Sequence, residues 1–138
     1  MIEVFHKDDL KAFAPNPYSD PSDVMFAINS RDWLKWSLKD SGKVEAIIMA
    51  AEYHPHCYVA FFLIAQNFRR RNAVKLRDFV HSTKESLNVV RIQTDSLDDE
   101  VLNGWHKYLG FTMEGVRKKM MFGKDYRSWA LVFDHTGG

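Results

Sequence analysis

The chain has 138 residues, 46% hydrophobic and 27% charged, the size and balance of one globular domain, residues 1–138, that buries a core without staples. Its formal net charge of +1 gives no global electrostatic ground for a nucleic-acid or membrane partner. The single cysteine, Cys57, excludes an intramolecular disulfide and any multi-cysteine metal site, and it fits a reducing compartment.

No apolar run reaches the length of a membrane span, and the N-terminal MIEVFHKDDL carries acids where a signal peptide needs a basic and then an apolar region. The expected location is cytoplasmic. Ile2 to Phe5 alternates as a short first strand, and Asp8-Asp9 ahead of Leu10 and Phe13 begin a short helix with acids near its positive end. Pro15, Pro17 and Pro21 enforce a loop, after which Ser22 or Asp23 caps a helix carrying Val24, Met25 and Ile28. Trp33 to Leu38 alternates and leads through the turn Asp40-Ser41-Gly42-Lys43 into Val44 to Ala51, a nearly continuous apolar run like a strand buried on both faces. Tyr53-His54-Pro55-His56 breaks that run, and Tyr58 to Ala65, the most hydrophobic strand candidate, is expected at the sheet centre.

Beyond Gln66 to Asn72, the residues Ala73, Leu76, Phe79 or Val80, and Leu87 recur at helical spacing and predict a helix of about four turns. Val89 to Thr94 is the next strand. Ser96 to Asp99 supplies caps for a helix whose apolar stripe is Val101, Leu102, Trp105 and Leu109, with Gly110 as its C-terminal glycine. Thr112 to Met121 and Arg127 to Phe133 follow as strands around Gly123-Lys124-Asp125, and Gly137-Gly138 is expected to fray. The element order predicts a single mixed α/β (α+β) domain, a central mixed β-sheet flanked by helices.

The stretch from Val101 to Phe133 resembles the GCN5-related N-acetyltransferase (GNAT) superfamily. The residues that carry the resemblance are Trp105 and His106 on the helix, Leu109-Gly110-Phe111, Glu114-Gly115, the basic Arg117-Lys118-Lys119, and the apolar Trp129 to Phe133. The resemblance implies a GNAT-like fold, acetyl-CoA as cofactor, and direct acetyl transfer to an amine on a small molecule or a protein. It implies that coenzyme A pyrophosphate meets a loop of arginine or glutamine, two residues, glycine, one residue, then glycine or alanine, at a helix N-terminus. Here that segment is Phe68-Arg69-Arg70-Arg71-Asn72-Ala73. Ala73 satisfies the last small position, while Arg71 stands at the first glycine and Phe68 at the arginine or glutamine. A register shifted by one residue gives Arg69 the first position and Asn72 the glycine, which asparagine tolerates better than most residues. Arg69, Arg70 and Arg71 then either supply side-chain charge to the pyrophosphate or form a solvated basic turn; three arginines at a helix start oppose its dipole and favour an anion there.

The same resemblance implies a thiolate acid four residues before the turn glycine, which is His106, with Tyr108 nearby. Glu52, just before the central strand, is the expected base. Backbone N–H groups of Leu63, Ile64 and Ala65 are the expected oxyanion donors and line the cofactor. His54-Pro55-His56 lacks a third ligand, so no metal is expected. The family's last strand often lies at a dimer interface, which admits a homodimer. Length, element order, the loop short of glycines and the Gly137-Gly138 pair also resemble the internal virion (core) proteins of short-tailed phages. That similarity implies a non-catalytic GNAT-fold protein with a virion assembly partner and a virion location.

Overall fold

The computed structural model describes residues 1–13, 32–66, 68–121 and 123–134. The proline loop, the helix expected after Ser22 or Asp23, and Gly137-Gly138 lie outside the described residues. In order come β1 (Ile2–Val4), a 3-10 helix (Lys7–Ala12), β2 (Leu34–Asp40), β3 (Lys43–His54), β4 (Cys57–Ile64), α1 (Arg71–Ser86), β5 (Arg91–Leu97), α2 (Glu100–Tyr108), β6 (Thr112–Met121) and β7 (Lys124–Val132). The strands form a seven-stranded sheet in the order β1-β2-β3-β4-β5-β7-β6, with β4 in the central place expected for it. Antiparallel ladders join β1 to β2, β2 to β3, β5 to β7 and β6 to β7, whereas β4 and β5 pair in parallel through Cys57–Arg91, Tyr58–Ile92 and Val59–Gln93. The sheet is therefore mixed, as expected. Among the described residues no helix is long and apolar enough to cross a membrane.

Contacts divide the chain into two compact units. The first comprises Met1–Ala51 and Ala60–Leu76. Its β2–β3 hairpin closes on Ser41 and Gly42, with φ of 53° and 78°, the two left-handed residues of a turn that matches strand twist. Every residue from Val44 to Met49 is buried, as the apolar run required, and Glu45 is buried among them. Phe13, Val44, Ile47, Met49, Leu63 and Ala65 form a core cluster with Phe5 and Trp33 against it. Asp9 ties the short helix to β2: it accepts the His6 N–H at 2.9 Å and the Ser37 hydroxyl at 2.8 Å, and pairs with Lys39 at 3.0 Å.

The second unit comprises Glu52–Val59 and Arg77–Gly138. Its centre is Trp129, 1% exposed, whose indole N–H donates to Ser96 Oγ at 3.0 Å. Strand β5 starts two residues later than the sequence pattern predicts. Asn88 takes a left-handed φ of 54° to leave α1, and Val89 packs in the core with its N–H on the Thr83 carbonyl. The strand then runs on to Leu97 because β7 supplies Arg127 and Tyr126 as partners for Ser96 and Leu97. Likewise β7 begins at Lys124, which pairs with Met121 across a tighter hairpin than expected.

Helix α2 begins where the cap residues predict. The Asp99 carboxylate accepts the N–H groups of Val101 at 3.0 Å and Leu102 at 3.3 Å. It ends in a Schellman arrangement: the Gly110 N–H donates to Lys107 O at 3.0 Å and the Phe111 N–H to His106 O at 2.9 Å. Gly110 has φ +98°, and a Cβ there would sit 2.7 Å from His81 Nε2, whose N–H caps the Leu109 carbonyl at 2.9 Å. Gly110→Ala is therefore expected to destabilise the fold by about 1–3 kcal/mol in urea unfolding, from φ strain and the displaced imidazole together. A change under about 0.5 kcal/mol contradicts this account of the turn.

Candidate functional site

The Arg-rich segment is set by a carboxylate from inside the sheet. At the end of β4 the Ala65 N–H donates to the Glu45 carbonyl at 2.8 Å, and Phe68 N–H closes a turn on Ala65 O at 3.2 Å. The chain returns at Arg69, whose backbone N–H donates to Glu45 Oε1 at 2.7 Å and whose Nε donates to Oε2 at 2.6 Å. Arg69 Nη2 completes that ion pair and also donates to the Asp40 carbonyl at 3.0 Å. Asn72 Nδ2 bridges Glu45 Oε1 and Asp40 Oδ2, both at 2.9 Å. Arg71 forms a two-pronged pair with Asp40, Nε to Oδ2 and Nη2 to Oδ1, each 2.9 Å.

Glu45 and Asn72 are both 0% exposed. Burial pushes the Glu45 carboxyl up, but the Arg69 N–H, the Arg69 guanidinium and the Asn72 amide outweigh it and hold it below its ordinary value. The Asp40 carboxyl is held well below the carboxylate range, first by Arg71, then by Asn72, against a smaller opposing effect of burial. With both acids ionised, two carboxylates neutralise two of the three guanidiniums. Arg70 is exposed, and among the described residues its side chain makes no hydrogen bond or ion pair.

Of the expected cofactor residues, Arg69 and Arg71 thus turn to the protein's own carboxylates, and among the described residues nothing pairs with the Arg70 guanidinium. Asn72 does not use a left-handed φ; it is buried, and its amide joins the two acids. The N–H groups of Asn72 and Ala73 close turns on Arg69 O at 2.9 Å and Arg70 O at 3.1 Å, so neither converges on an anion. Leu63 and Ala65 are buried, and the Ala65 N–H is taken by Glu45.

The expected catalytic residues lie in the second unit. His106 is 8% exposed, stacks on Trp129 at 5.3 Å and 16°, and meets Phe111 edge-on at 5.9 Å. Its Nδ1 lies 2.8 Å from the Leu102 carbonyl, an acceptor only, so Nδ1 carries the proton and donates it there. Burial lowers the pKa of the imidazole against the smaller opposing pull of that carbonyl, which keeps it neutral. The ring's N–H is thus committed to a backbone carbonyl, and its face to the Trp129 stack. Tyr108 is 39% exposed, with the Arg77 guanidinium 5.0 Å over its ring and Trp105 edge-on. Glu52 is exposed at the β3–β4 hairpin, accepts the His56 N–H at 3.1 Å, and bonds the Tyr58 hydroxyl. Burial first, and Glu52 second, raise the Tyr58 pKa.

Asp40 and Glu45 were not among the sequence candidates. Glu45 carried a signal: it is the one charge in the apolar run Val44 to Ala51, and a carboxylate buried there demands a cationic partner. Asp40 had none beyond turn chemistry.

Both acids have folded pKa values below their unfolded ones, so the stability they add is complete above about pH 4–4.5 and is lost as pH falls through the folded values. Urea midpoints measured from pH 7 to pH 2 are expected to fall below about pH 4. The fall should be shallower in Asp40→Asn, and identical slopes in the two proteins contradict the assignment.

No protein-family profile matches the chain, and no curated protein sequence does. Solved structures do match. The ribosomal-protein-S18-alanine N-acetyltransferase of Escherichia coli superposes with TM-score 0.78 at 14% identity, over 99% of this chain and 96% of that one. The IAA acetyltransferase of Bacillus cereus gives 0.75 at 12%, over 96% and 99%. A GNAT-family acetyltransferase of Bacillus anthracis gives 0.71 at 13%, over 95% and 93%. At such identities the likeness is one of fold, and the chain has the GNAT acyl-CoA N-acyltransferase fold.

Proposed function

We propose that the chain is an acetyl-CoA-dependent N-acetyltransferase that passes an acetyl group directly to an amine of a small molecule or a protein in the cytoplasm. The observation that carries this reading is the fold likeness to N-acetyltransferases over nearly the full length of both chains. An exposed guanidinium at the start of α1, on Arg70, with no partner among the described residues, supports a phosphate-bearing cofactor there, although the N–H groups of Asn72 and Ala73 are already used. Coenzyme A supplies the activated thioester. The amine nitrogen bonds to the acetyl carbon, the C–S bond breaks, and the amine's proton and the leaving thiolate must both be served.

In this reading Arg70 holds phosphate, and the N–H groups of Leu63 and Ile64 attract the thioester oxygen. Glu52 takes the amine proton. Tyr108 protonates the thiolate, since its side chain is exposed and the His106 N–H is not available. Isothermal titration with acetyl-CoA is expected to show binding that Arg70→Ala weakens about tenfold. Absence of both heat and a thermal shift in the wild type overturns the reading. With an amine panel, Tyr108→Phe should lower kcat about 100-fold, while His106→Phe should leave kcat within about threefold and change the melting temperature. Equal kcat losses in the two variants contradict this division of roles.

A second reading is a GNAT-fold protein that acts through protein contacts without turnover, as an internal virion protein of a phage does. It is favoured by the inward commitment of Arg69 and Arg71 and by the burial of His106. It predicts a stable assembly partner and no acyl-CoA binding, so the same titration separates the two.

A further inference from the structure

We propose that Glu45 is a positioning residue for anion binding by Arg70, an inference that rests on phosphate binding at the start of α1. Glu45 lies in β3 between Val44 and Ala46, with no exposed surface. An apolar residue would serve the strand better, because a buried carboxylate without partners is strongly destabilising. Its side-chain partners all lie in one place. The two oxygens accept from the Arg69 N–H, Arg69 Nε and Nη2, and Asn72 Nδ2. Its backbone carbonyl accepts the Ala65 N–H, so one residue grips the β4–α1 connection on either side of residues 66–68.

Arg70 is held as a consequence. Arg69 before it is fixed by Glu45; Arg71 and Asn72 after it are fixed by Asp40, and Asn72 by Glu45 as well. Its carbonyl accepts the Ala73 N–H, so backbone and neighbours are set while its exposed side chain has no partner among the described residues. From Phe68 to Ala73 there is no glycine, so side-chain charge rather than backbone freedom fixes the path of these residues. Neutralising two of three arginines also removes most of the repulsion from the helix dipole. A phosphate therefore meets one guanidinium on a turn already ordered, and the ordering cost is met before binding.

The test uses inorganic pyrophosphate as well as acetyl-CoA, with amide exchange of residues 66–76 as a ligand-free readout. Glu45→Gln keeps size and one acceptor but loses the charge. It is expected to speed exchange at Arg69, Asn72 and Ala73 and to weaken pyrophosphate about tenfold. Asp40→Asn should show a smaller weakening. If Glu45→Gln folds poorly, Glu45→Gln with Arg69→Met removes both charges of the pair, the buried carboxylate and its part-buried guanidinium, and should fold with the same loss of affinity. Pyrophosphate affinity unchanged in the folded variants, or no wild-type affinity for pyrophosphate, overturns the proposal. Wild-type binding of pyrophosphate but not acetyl-CoA, lost in Glu45→Gln, upholds the positioning role and refutes the acetyltransferase reading.

Discussion

A carboxylate with no exposed surface, near the start of β3 in the otherwise apolar run Val44 to Ala51, decides the local structure of the first unit. Ionised Glu45 is stable there only because the chain returns from β4 with a guanidinium, a backbone N–H and an amide aimed at it. That requirement fixes the backbone from Arg69 to Asn72 and so the first turn of α1. Asp40, at the β2–β3 hairpin, extends the same arrangement to Arg71 and Asn72. The hairpin turn, the β3 interior and the start of α1 are in this way one electrostatic unit.

The second unit depends on packing instead. Trp129 is buried between His106 and the indole's own hydrogen bond to Ser96. The left-handed Gly110 ends α2 so that Phe111 meets the same ring of His106 and His81 caps the helix. A histidine in such a place stays neutral because burial penalises its charge. His106, which the sequence pattern offers as a proton donor, is packed in three dimensions within an aromatic stack.

Much of the fold was legible in the chain. The two-residue hairpin at Ser41-Gly42, the buried run of β3, the central β4, the Asp99 cap and the Gly110 terminus follow from local rules that tertiary context did not override. The boundaries of β5 and β7 were less legible, because Val89 leaves the strand for the core and Ser96 and Leu97 join it only through partners on β7. The candidate site was legible in position but not in allegiance. Three arginines at a helix start announce a need for negative charge, yet the sequence does not say whether that charge is a ligand or Glu45 and Asp40, which precede Arg69 by 24 and 29 residues. His106 posed the same problem, since helical spacing gives a residue's place on its helix and not what packs against it.

The central claim is that two internal carboxylates hold Arg69 and Arg71 and leave Arg70 to meet a phosphate. A crystal structure with coenzyme A bound tests it most directly. The account predicts the Arg70 guanidinium within hydrogen-bond distance of a pyrophosphate oxygen, with the Arg69–Glu45 and Arg71–Asp40 pairs intact. A structure in which Arg69 or Arg71 has left its carboxylate for the phosphate, or in which Arg70 makes no contact with the cofactor, contradicts it.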